Sequence, residues 1–181
     1  MRIGVMMGAK FGKKPCYEEA ATELGKLIAT RGHSLIFGGG GSGLMWAVSN
    51  SAHDNGATVI GIIPHFIQDF EPVTENNTVT LYCTTMAERK QMFWNNVDAV
   101  VVLPGGVGTM DEFWEVLCLK HLQKVHESVP IIVLNTNHFY DKMIDFLNEM
   151  IEEGFITKDI YNKYSIASTP EEALKIIEGI K

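Results

Sequence analysis

Residues 97 to 117, VDAVVVLPGGVGTMDEFWEVL, constrain the fold more than any other stretch. Val97 to Leu103 is an apolar, β-branched run of strand length, broken by Pro104, Gly105 and Gly106. From Thr109 the apolar spacing turns helical. The order is strand, glycine turn, helix start, with Asp111, Glu112 and Glu115 in the first turns of the helix. A helix N-terminus offers unpaired backbone N–H groups and the positive end of the helix dipole, and glycines let an anion approach them. Carboxylates beside such a turn repel a bare phosphate. A sugar phosphate satisfies both, with its hydroxyls on the carboxylates and its phosphate on the N–H groups.

The rest of the chain repeats this alternation. Strand-like runs are Arg2–Met7, Ser34–Phe37, Thr58–Ile63, Thr78–Tyr82, Val97–Leu103 and Ile131–Leu134. Helical patterns are Tyr17–Thr30, Gly43–Asn55, Thr85–Asn96, Thr109–Lys124, Phe139–Glu152 and Pro170–Glu178. Short connections between them predict an α/β, Rossmann-like doubly wound sheet, mainly parallel, of six to seven strands with helices on both faces. Pro64 to Asn77, with Pro64, Pro72 and polar residues, reads as a loop with at most one short helix. In such sheets ligands bind beyond the C-terminal strand ends. Glycine-bearing exits at Gly8, Gly38–Gly41 and Gly105–Gly108 share that edge with the loop after Ile63.

The 181 residues suit one nucleotide-binding domain, 1–181, with a full core. No apolar run reaches membrane-span length, and MRIGVMM reads as a first strand rather than a signal peptide. The net charge of −7 argues against a nucleic-acid or anionic-membrane surface. The odd, unclustered cysteines Cys16, Cys83 and Cys118 argue against a disulfide framework and suit a reducing cytoplasm. No histidine or cysteine spacing points to a metal.

GGGGSG, residues 38 to 43, matches a dinucleotide fingerprint literally but follows the second strand. The next strand ends IIPH, without an acid for a ribose hydroxyl, so NAD or FAD is disfavoured. The glycines serve a tight turn, an anion contact, or both. GAKFGKK, residues 8 to 14, is one residue short of a P-loop and lacks its Ser/Thr. In MAERKQMFWNN, Arg89 and Lys90 lie at a helix start, where they could supply positive potential to an otherwise acidic chain. The helix from Thr109 carries Met110, Phe113, Trp114, Val116, Leu117, Leu119, Leu122 and Val125 over more than half its circumference. That predicts a second covered face: either the helix is buried within one large monomer or, the favoured reading, it packs in a homodimer or higher even oligomer with Trp114 or Phe113 at the seam.

These motifs together resemble the LONELY GUY (LOG) family, the cytokinin riboside 5′-monophosphate phosphoribohydrolases, long mislabelled lysine decarboxylases. Pro104, Gly105, Gly106, Gly108, Thr109 and Glu112 meet its P-G-G-x-G-T-x-x-E pattern. Met86, Arg89 and Lys90 meet M-x-x-R-K. Gly38, Gly39, Gly40, Gly43, Leu44 and Met45 meet G-G-G-x-x-G-L-M, and Glu71 falls on the family's Glu after Ile-Pro. The resemblance runs from Arg2 to Ile177 and implies a Rossmann-like dimer that splits a purine riboside 5′-monophosphate into base and ribose 5-phosphate. It implies Arg89 and Glu112 as the catalytic pair and no cofactor. Gly8, Gly39, Gly40, Glu71, Met86, Lys90, Gly105, Gly106, Val107, Gly108, Thr109 and Asp111 would line the substrate site. The chain departs from the family at Ala9 and Lys10 in place of Ser-Ser, at Trp46, Ala87, Val107, Asp111 and Cys118, and in a longer Lys120–Val129 segment.

The chemistry suits these residues without the family name. Cleaving C1′–N9 builds oxocarbenium character on the ribose and negative charge on the base, which a carboxylate and a guanidinium can offset. A non-catalytic carrier of a nucleotide or molybdenum-cofactor-like ligand would tolerate loss of either residue. A pyridoxal-phosphate decarboxylase finds no Schiff-base lysine context here.

Overall fold

A computed structural model describes residues 1–69, 71–122 and 128–179. Seven parallel strands form one sheet in the order β4-β3-β2-β1-β5-β6-β7. They are β1 (Arg2–Met6), β2 (Ser34–Phe37), β3 (Val59–Pro64), β4 (Val79–Cys83), β5 (Ala99–Val102), β6 (Ile131–Leu134) and β7 (Ser165–Ala167). The chain winds outward from β1 to β4, then returns to place β5 on the other side of β1. The doubly wound fold read from the sequence is therefore present, with every strand pair parallel.

Among the described residues, six α-helices cover the sheet: α1 (Pro15–Thr30), α2 (Gly43–Asp54), α3 (Met86–Asn96), α4 (Val107–His121), α5 (Asp141–Glu152) and α6 (Pro170–Glu178). Alternation along β1 feeds two cores. Ile3 and Val5 join Leu24, Val48 and Leu174 under α1, α2 and α6. Met6 joins Trp94, Phe113 and Leu147 under α3, α4 and α5. The central strands are buried on both faces, which is why β5 and β6 read as unbroken Val/Ile/Leu runs.

Differences from the sequence reading have local causes. β5 begins at Ala99 because Asp98 accepts a bond from the Arg2 amide at 2.7 Å and Val97 ends α3. α4 starts at Val107, so Asp111 and Glu112 stand one turn into the helix. The last two residues of the expected Thr109–Lys124 helix, and Val125, lie outside the described residues. β7 is new: three residues, two of them exposed, are too short to show a period. Among the described residues, the Pro64–Asn77 segment carries one short 3₁₀ turn, His65–Asp69, as expected.

The surface seam expected at Phe113 is not there. Phe113 is 0% exposed and packs edge-on to Trp114 and Tyr164 inside the second core. The circumference of α4 is apolar largely because the sheet and the segment around Tyr164 cover it within one chain. Trp114 is half-buried and Leu122 exposed, leaving a narrower apolar stripe.

Candidate active site

The strand order reverses between β1 and β5, so their C-terminal exits diverge and open a crevice. The Gly8 amide donates to the Pro104 carbonyl at 3.1 Å and joins the two exits. A Cβ on Gly105 would fall 2.9 Å from the Gly8 nitrogen, so only glycine lets the turns touch. Gly106 precedes α4 without any side-chain cap, and added Cβ atoms at Gly106 or Gly108 would meet open space. The first N–H groups of α4 thus have no side-chain acceptor and face an open approach, the arrangement that favours an anion.

A cavity of about 560 Å³ lies over this crevice. Its wall includes Gly8, Glu71, Met86, Arg89, Gly105, Gly106, Gly108, Thr109, Asp111 and Glu112, so most of the residues singled out in the sequence converge on it. Four do not line it. Val107 is 89% exposed. Lys90 pairs with Asp111 at 3.2 Å and with Glu115, and so steadies the helix behind the wall. Gly39 and Gly40 lie against the loop after β3. A Cβ on Gly39 would strike Ile63, and one on Gly40 would fall 2.6 Å from Glu71 Oε1. Their lack of a side chain serves packing, and it leaves room for the carboxylate of Glu71.

Arg89 and Glu112 come from different helices. Thr85 caps α3, accepting from the Glu88 amide at 3.1 Å, while Glu88 accepts from the Thr84 amide at 2.7 Å. This reciprocal cap fixes the start of α3. Arg89 then reaches inward, donating from Nε to the Ile62 carbonyl at 3.1 Å and from Nη1 to Glu112 Oε1 at 2.6 Å. A Cβ on Gly38 would sit 2.5 Å from Nη2, so that glycine admits the guanidinium. Burial pushes the Glu112 carboxyl above the ordinary carboxylate range, and the charge and hydrogen bond of Arg89 pull against that rise. Charge-assisted pairs of this kind are strong and directional when water is largely excluded.

Sequence reasoning missed Ser42. It sits at the N-cap position of α2, yet its hydroxyl donates to Glu71 Oε1 at 2.5 Å instead of capping the helix. The glycine turn and the Glu71 loop are tied further by Gly41 N–H to Pro72 O at 2.8 Å and Thr74 N–H to Gly39 O at 3.1 Å. The signal was the Ser inside GGGGSG, hidden because a serine there reads as a cap. Phe11, Tyr17, Ile67 and Phe139 also border the cavity and carry no motif.

Comparison with known proteins places the chain in a family. The family model described as "Possible lysine decarboxylase" matches residues 45–177. The cytokinin riboside 5′-monophosphate phosphoribohydrolase LOG of Oryza sativa subsp. japonica is 38% identical over 98% of this chain and 72% of its own length. This chain belongs to the LOG family. A second LOG relative, from Arabidopsis thaliana, is 36% identical over 98% of this chain and 81% of its own. Among solved structures, the molybdenum cofactor binding protein of Rippkaea orientalis superposes with a TM-score of 0.74 at 27% identity, covering 99% of this chain and 96% of that one. The residues of the LOG-family motifs thus build the crevice, its glycine turn and its half-buried ion pair. Among the described residues no helix is long and apolar enough to cross a membrane.

Proposed function

We propose that this LOG-family chain hydrolyses the N-glycosidic bond of adenine or N6-substituted adenine riboside 5′-monophosphates, giving free base and ribose 5-phosphate. The observation that carries this reading is the half-buried Arg89–Glu112 pair at 2.6 Å beside an uncapped helix N-terminus in one cavity. The LOG relatives are named for this reaction on cytokinin riboside monophosphates.

In the pose we propose, the phosphate rests on the turns at Gly8 and Gly105–Thr109. The ribose hydroxyls face Glu112, and the base points toward Met86, Ile67 and Glu71. As C1′–N9 lengthens, its electron pair moves to the base and positive charge builds on the sugar. The Glu112 carboxylate offsets that charge and holds the water that adds to C1′. Arg89 keeps Glu112 ionised against burial and offsets charge on the departing base, which gains a proton as the water adding to C1′ gives one up. Phosphate binding remote from the reacting bond aligns it.

Two experiments test this. AMP should release adenine, and adenosine should scarcely react; equal kcat/KM for the two removes the phosphate from the mechanism. Arg89→Ala and Glu112→Gln should each lower kcat by about 10²-fold or more with nearly unchanged melting temperature. Wild-type turnover by either variant refutes the assignment.

The likeness to a molybdenum cofactor binding protein favours a second reading, a carrier of the same fold. A carrier has no need of the paired carboxylate and guanidinium, so catalysis is the better reading. No release of base from any purine monophosphate by the purified protein would favour the carrier. We further propose cytoplasmic residence, in keeping with three free thiols, and self-association along the stripe from Trp114 on α4 to Leu122 just past its end.

A further inference from the structure

The cavity does not end at the phosphate turn. Its wall runs across the sheet edge from the loop after β3, at Ile67 and Glu71, to Phe139 at the exit of β6. Those exits are four strands apart, roughly 19 Å at about 4.8 Å per strand. The proposed pose of a monophosphate uses the stretch from β3 to β5. The rest of the wall carries three aromatic residues, Phe11, Tyr17 and Phe139, together with Lys10.

Tyr17 leans on the first core, but the other two rings do not fill it. Phe11 and Phe139 are 38% and 42% exposed. Phe139 meets Tyr17 edge-on at 5.8 Å, while its neighbour Tyr140, 2% exposed, takes the core position. The turn that delivers Phe139 holds two successive non-glycine residues in the left-handed region, Asn137 at φ 52° and His138 at φ 58°. Backbone of this kind is disfavoured and concentrates where a side chain must be presented to a ligand.

We infer that Phe11, Tyr17 and Phe139 form a second subsite for a planar aromatic group attached through the phosphate, as in a dinucleotide joined by a 5′–5′ diphosphate. The inference rests on the monophosphate pose proposed above. One nucleoside occupies the Glu112 side, the diphosphate spans the turns at Gly8 and Gly105 near Lys10, and the second base stacks on the rings. Base–aromatic stacking is sequence-tolerant, so the subsite accepts any second base.

The test is calorimetric binding of ADP and of diadenosine 5′,5′-diphosphate to the Glu112→Gln protein, which does not consume them under the proposed mechanism. The same titrations follow with Phe139→Ala and Phe139→Leu added, each variant checked for an unchanged melting curve. The dinucleotide should bind about tenfold tighter than ADP, a factor equal to about 1.4 kcal/mol. Most of that advantage should vanish in at least one well-folded Phe139 variant. Equal affinity for the two ligands, no dinucleotide binding at millimolar concentration, or an advantage that survives both substitutions overturns the subsite. Failure of the hydrolase reading shows separately, as absence of base release from purine monophosphates by the wild-type protein.

Discussion

At the scale of single residues, Glu112 is where opposing forces meet. Burial raises its pKa and Arg89 lowers it, and the rise wins. The carboxyl therefore ionises above the ordinary carboxylate range, and the acid limb of kcat/KM should lie above about pH 4.5. Removing the guanidinium leaves burial opposed only by the charge of Lys90. A carboxyl carbon titration of Arg89→Met should place Glu112 higher still than in the wild type; an equal or lower midpoint means that Arg89 does not stabilise the ionised form. Both members of the pair were legible in the sequence through their motifs. Ser42 was not, since a serine before a helix looks like a cap and its bond to Glu71 exists only once the β3 loop folds over the glycine turn.

At the scale of elements, two ties hold the site's frame. Tyr140, ahead of α5, donates its buried hydroxyl to the Leu103 carbonyl at 2.7 Å, directly beneath the Pro104 turn. Burial pushes this phenol's pKa upward, so it stays a donor at any ordinary pH. Tyr140→Phe should cost about 1–3 kcal/mol in denaturant unfolding, the range for a buried hydrogen bond whose partner is left unpaired; an unchanged midpoint would show that the bond carries no net stability. The second tie is Arg31, at the end of α1, which pairs with Glu178 at 2.6 Å and with Glu171 on α6. The Arg31 hydrogen bond holds Glu171 below its usual pKa. Burial pushes Glu178 up, but hydrogen bonds from His33 and Arg31 outweigh it. Carboxyls depressed on folding stabilise above their unfolded pKa and lose that contribution as pH falls through the folded value. The melting-temperature gap between wild type and Arg31→Met should thus be full near neutrality and shrink as pH falls below about 4. A gap that is flat with pH counts against the ion pairs as its source.

At the scale of the whole molecule, the sequence conveyed the winding of the sheet because buried parallel strands leave long apolar runs between glycine exits. It did not convey which apolar faces of α4 are covered by the chain itself. Periodicity reports that a face is covered, not by what. The consequence is a sharp contrast between neighbours. Phe113→Glu places a charge in a fully buried position and should abolish cooperative unfolding. Trp114→Glu sits on the half-buried stripe and should leave a folded chain of halved mass by light scattering. A Trp114→Glu protein with wild-type mass moves the interface elsewhere, and a wild-type mass near the 20.1 kDa chain mass removes it altogether.

The bond from Gly8 to Pro104 has a thermodynamic corollary. It joins the two halves of the sequence where the sheet turns back on itself, and any ligand on those turns touches both halves at once. Such a ligand acts as a removable cross-link. It adds RT ln(1 + [L]/Kd) to the free energy of unfolding. Its protection against amide exchange should reach β1 and β5 together, and a chain interrupted between α3 and β5 should need the ligand, or its own other half, to regain a closed sheet.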